Sequence, residues 1–88
     1  MFDVVEIQEV KTEIGSLIKT LRKKRKISRI ELAESLDVSK TTIQNMEMGK
    51  NFTVDTLFKA LKEFDLLQDL HAEVLSVKKQ IVDTKSLY

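Results

Sequence analysis

Between Asp37 and Lys50 the chain reads DVSKTTIQNMEMGK, a stretch that spends its positions on small polar side chains: Ser39, Lys40, Thr41, Thr42, Gln44 and Asn45. A carboxamide carries a donor and an acceptor side by side, so Gln44 and Asn45 can each make paired hydrogen bonds to an adenine edge. Threonine offers a hydroxyl to a base and a methyl to thymine. None of these four, Thr41, Thr42, Gln44 and Asn45, holds a charge that would bind every nucleic-acid sequence alike. The alternative reading of the same residues is an ordinary solvated helix face.

Other chemistries have less to build on. His71 is the single histidine and there is no cysteine, so no metal site is expected and His71 reads as a surface residue. No Ser/His/Asp set, glycine-rich phosphate loop or His/Cys cluster is present, and every carboxylate has a helix-surface explanation, so neither an enzyme nor a cofactor is expected. At 88 residues one domain is expected, large enough for a modest core and small for a deep substrate cleft. The lack of cysteine and proline argues against a disulfide-stapled secreted protein. The opening MFDVVEIQEV carries acids where a secretory signal needs bases, and no apolar run approaches the roughly 20 residues that span a bilayer. A cytoplasmic location away from membranes is expected.

The net charge of +1 is unevenly spread. Residues 19 to 50 hold nine bases against four acids, densest in RKKRK at 22 to 26, while the flanks are acidic or nearly neutral. Such a cluster suits a phosphate-facing patch or a solvated helix end, where cations also complement the helix dipole.

Hydrophobic spacing divides the chain into helices. Ile7, Val10, Ile14, Leu17, Ile18 and Leu21 predict a first helix running to about Lys24, its start between Asp3 and Thr12. Ser28 and Glu31 have capping-box spacing ahead of a short helix from 29 to 36 with Ile30, Leu32, Ala33 and Leu36 as its apolar residues. Asp37 then takes a left-handed turn position and Val38 fills the corner. Ser39 caps a third helix at 40 to 48, with Ile43 and Met46 buried, Thr41, Thr42, Gln44 and Asn45 outside, Met48 partly exposed, and Gly49 as its stop. Thr53 caps a fourth, VDTLFKALKEF, with Val54, Leu57, Phe58, Leu61 and Phe64 as its stripe. Leu66, Leu67, Leu70, Val74, Leu75 and Val77 predict a fifth, and beyond Lys78 helix, strand and tail all remain open. Phe2, Val4 and Val5 fray, cover the core or join a subunit contact; Tyr88 is terminal and says little. The expected fold is all-α: one domain over 1–88 with its core at about 12–75, an N-terminal extension at 1–11, and a tail or dimer element at about 76–88.

Two short helices joined by a tight turn, the second polar outside, form a helix-turn-helix at about 29–48. In that motif the second helix enters the DNA major groove. The segments IGSLIKTLRKKRKIS, IELAESLDVSKTTIQNMEMGK and TVDTLFKALKEFDLL together resemble the phage-repressor and Cro-like helix-turn-helix family, often called XRE, from about Ile14 to Leu70. The resemblance implies a five-helix lambda-repressor-like domain in which Arg22 and Glu47 pair internally; without it they would read as separate surface charges. It implies DNA contacts from Arg29, Ser39, Lys40, Thr41, Gln44 and Asn45, with the loop Lys50, Asn51, Phe52, Thr53 approaching phosphates. Asp37 stands where the family usually has glycine, and Arg29 where it commonly has glutamine. The implied function is a sequence-specific, double-stranded DNA-binding transcriptional regulator, a homodimeric repressor at a palindromic operator. The alternative is a protein-interaction module of antitoxin type whose C-terminal segment binds a partner protein.

Overall fold

The computed structural model describes residues 4–85, so Phe2 and Tyr88 lie outside the described residues. Five helices follow in order: α1 (Ile7–Lys24), α2 (Arg29–Leu36), α3 (Lys40–Glu47), α4 (Val54–Glu63) and α5 (Leu67–Lys85). No strand occurs among the described residues. α3 packs against both α1 and α2, α4 packs on α2, and α5 touches mainly α4.

The starts of the three short helices follow from local chemistry. The hydroxyls of Ser28, Ser39 and Thr53 accept the backbone N–H of Glu31, Thr42 and Thr56 respectively, and the Glu31 carboxylate accepts the Ser28 N–H at 2.8 Å. Each satisfies a donor that a first helical turn leaves orphaned. The ends share one device. After α1, α2, α3 and α4 the chain enters the left-handed region at Lys26, Asp37, Gly49 and Asp65 (φ 59°, 56°, 73° and 59°). The N–H of the next residue then reaches back to a helix carbonyl: Ile27 to Arg22, Val38 to Ala33, Lys50 to Asn45 and Leu66 to Leu61. These are Schellman closures, and only one uses glycine.

Burial corrects several expected stripes. The core consists of Ile18, Leu32, Ala33, Leu36, Ile43, Met46, Ala60 and Phe64, with Ile14, Leu21, Val38 and Leu57 packed on it. Ile7, Val10 and Leu17 of α1, Ile30 of α2, and Val54 and Phe58 of α4 are exposed instead. α1 turns Ile14, Ile18 and Leu21 inward, together with the buried Gly15 and Arg22. α4 turns in Thr56, Leu57, Ala60 and Phe64. The segment after Lys78, left open by the sequence, continues α5 as helix to Lys85. Gly15 has a definite reason: a Cβ there would lie 2.3 Å from the Met46 carbonyl oxygen and 2.9 Å from that of Glu47. Only glycine lets α1 cross the C-terminal turn of α3 this closely.

Candidate nucleic-acid interface

α3 is built from weak helix formers. Thr41, Thr42, Ile43 and Asn45 each cost up to about 0.7 kcal/mol in helix propensity relative to alanine. Burial outweighs this. Ile43 and Met46 are 0% exposed, and burying each side chain fully contributes about 1.5–3 kcal/mol. The helix is therefore held by its inner face, and its outer face is free to carry other chemistry.

Lys40, Thr41 and Gln44 are exposed on that outer face, as expected. Thr42 and Asn45 are only half-buried rather than fully outside, and the Thr42 hydroxyl lies 2.8 Å from that of Ser39 at the helix entrance. Lys50, Asn51 and Thr53 are exposed in and after the loop that leaves α3. Asn51 Oδ1 accepts from Lys11 Nζ at 2.6 Å, and Thr53 caps α4. Gln8 Nε2 donates to the Gly49 carbonyl at 2.8 Å, so the first turns of α1 brace the same loop.

Behind α3 lies an ionic junction. Glu47 Oε2 accepts from Arg22 Nε at 2.6 Å and Oε1 from Arg22 Nη2 at 3.1 Å, while Arg22 Nη1 donates to the Ile27 carbonyl at 3.0 Å. The side chains of Arg22 and Glu47 are 10% and 0% exposed. Arg29 Nε adds a third bond to this carboxylate, donating to Oε1 at 3.0 Å. One carboxylate thus joins α1, the first residue of α2 and the last residue of α3. Burial alone would push the Glu47 carboxyl up, but hydrogen bonds and charge from Arg22 and Arg29 outweigh it and hold the pKa below its ordinary value. The hydrogen bond to Glu47 holds the Arg22 guanidinium above its ordinary value against the opposing effect of burial.

The expected internal Arg22–Glu47 contact is present, and Arg29 is tied to the same carboxylate. The third contact carried no signal in the sequence, because Arg29 and Glu47 meet only when α2 and α3 are packed. The basic cluster is likewise divided by the fold. Arg22 is internal; Arg25 donates to the Glu63 carbonyl at 3.0 Å and sits 4.7 Å from the Phe64 ring centroid; Lys23 and Lys24 remain exposed. His71 is exposed.

A capped helix, a three-residue turn and a second capped helix, locked by a buried ion pair to α1, define the motif. The helix-turn-helix family model matches residues 18–80, well over half of the chain. The protein belongs to the XRE-type helix-turn-helix family. No match was found among curated proteins. An XRE-type domain is a DNA-binding fold of transcriptional regulators, and α2 and α3 occupy the two positions of its motif. No helix among the described residues is long and apolar enough to cross a membrane.

Proposed function

We propose that the protein is a cytoplasmic, sequence-specific transcriptional repressor that binds a palindromic double-stranded operator as a homodimer. The observation that carries this reading is the division of α3 into a fully buried face, Ile43 and Met46, and an outer face that presents Lys40, Thr41 and Gln44. α3 enters the major groove with Thr41, Gln44 and the half-buried Asn45 at base edges. Ser39, Lys40, Lys50, Asn51 and Thr53 contact the backbone. Arg29 has its Nε committed to Glu47 and its side chain 33% exposed, leaving the fork nitrogens for a phosphate. One recognition helix reads few base pairs, so specificity comes from two half-sites about 34 Å apart.

Selection of bound duplexes from a random DNA pool supplies the operator. Gln44→Ala and Asn45→Ala are then compared on operator and on random duplex. Loss of a paired base contact should cost about 1–3 kcal/mol on the operator. Binding to random DNA should hardly change, because that attraction comes from lysines and arginines. Equal losses on both duplexes, or no loss on either, would remove these amides from base reading.

A further inference from the structure

α5 leaves the body of the protein. Leu67 and Leu70 are half-buried at its start, yet every residue from His71 to Asp83 is exposed. Val74, Leu75, Val77, Ile81 and Val82 are each between 44% and 56% exposed. A 19-residue helix packed only near its beginning is at the margin of stability in water, and its valines and isoleucine are weaker helix formers than leucine. Something else must cover it.

The spacing says what shape the cover has. Leu67, Leu70, Val74, Val77 and Ile81 alternate by three and four residues, which is the apolar repeat of a coiled coil, with 67, 74 and 81 at a and 70 and 77 at d. β-branched a with leucine d, the two-strand pattern, holds at Val74, Ile81 and Leu70 but not at Leu67 or Val77, so the charged flanks and not the seam residues decide the pairing. The flanks are Glu73 at g and Lys78 at the following e. Among the described residues neither has an ion-pair partner in its own chain. In a parallel pair g of one helix meets the next e of the other, so Glu73 meets the Lys78 of a second copy, twice by symmetry. An antiparallel pair would set e beside e and g beside g, bringing like charges together.

The other exposed apolar stripe, Ile7, Val10 and Leu17 on α1, is flanked by Glu6, Glu9 and Glu13. Its one nearby base, Lys11, is already held by Asn51. Ile14, which would continue that stripe, is packed on the core instead, so α1 offers no continuous seam and α5 is the surface left for self-pairing.

We propose that α5 pairs in parallel with α5 of a second copy along the Leu70, Val74, Val77 and Ile81 seam, with Phe58 at its head beside Leu70 and Val74. This rests on the dimeric reading above and gives it a surface and a direction. The chain has no cysteine, so Val74→Cys, Val77→Cys and Ile81→Cys can each be introduced alone into the full chain, oxidised and read on a non-reducing gel. Ser76→Cys, on the opposite side of the helix, is the control. In a parallel seam all three positions meet their own copies and form covalent dimers, while the control does not. Glu73→Lys should weaken association about five- to tenfold as two surface pairs turn repulsive, and Glu73→Lys with Lys78→Glu should restore it.

Cross-linking at one seam position only would mean an antiparallel crossing, and an unaffected Glu73→Lys would remove the charge pairing; either overturns the proposal. Ultracentrifugation of the unmodified protein at tens of micromolar separates the remaining cases. A dimer whose seam cysteines stay free assembles through another surface, so the proposal fails while the dimeric reading stands. A monomer overturns both, and DNA binding is read independently from a salt titration.

Discussion

Glu47→Ala tests the junction that holds the recognition helix in place. The Arg22–Glu47 pair is 10% and 0% exposed at its two ends and is joined by two hydrogen bonds, at 2.6 and 3.1 Å. Removing one partner of such a pair leaves a buried charge without its counter-charge, a loss of about 3–5 kcal/mol, whereas an exposed pair is worth about 0–1 kcal/mol. Arg29 is a third exposed, so its share is screened and falls near the lower range. Glu47→Ala should therefore exceed Arg22→Ala, because in the latter the carboxylate keeps Arg29. A domain of this size has total stability of about 5–15 kcal/mol, so the loss is a large part of it. Urea denaturation, followed by helical circular dichroism, measures both variants. A loss under about 1 kcal/mol for Glu47→Ala, or a larger loss for Arg22→Ala, would refute the reasoning.

The same group fixes a pH dependence. Its folded pKa lies below its ordinary value, so the unfolded chain takes up this proton first. The stabilisation is complete above the unfolded carboxylate value of about 4.3 and is lost as pH falls through the folded value. Glu47→Ala should flatten this part of the acid-unfolding curve.

Three further outcomes follow from the geometry. Affinity for random duplex DNA should fall steeply between low and moderate salt, as Lys40 and Lys50 displace counterions from phosphates; a flat titration would contradict phosphate contact. Asp37→Gly should change stability by at most about 1 kcal/mol, since relief at φ 56° is opposed by the freedom glycine adds to the unfolded chain, and a larger loss in urea would reveal a contact made by the carboxylate. Gly15→Ala should destabilise by about 1–3 kcal/mol despite the roughly 1 kcal/mol that alanine gains in a helix, because its Cβ would meet backbone oxygens; a stabilised variant would mean that α1 and α3 separate easily.

Much of this arrangement is legible in the sequence because it is local. Ser28, Ser39 and Thr53 start helices through bonds to residues three positions on. Asp37 stands where a left-handed turn is required, and Ile43 and Met46, three apart, fix the inner side of α3. The Arg22–Glu47 contact, 25 residues apart, is implied by the family resemblance and not by spacing. Lys26 and Asp65 also adopt positive φ; Asp65 has the same tolerance for that region as Asp37, whereas nothing in the residue type of Lys26 announces it. Apolar periodicity on α1 and α4 was wide enough to fit more than one face, and the choice that exposes Ile7, Val54 and Phe58 while burying Gly15, Thr56 and Ala60 depends on which helix lies opposite. Arg29 reaches Glu47, Arg25 reaches Glu63, and Gln8 reaches the Gly49 carbonyl across separations over which local propensity carries no information. Those contacts exist because packing brings the helices together, and a partner defined by packing is absent from the pattern of any one helix.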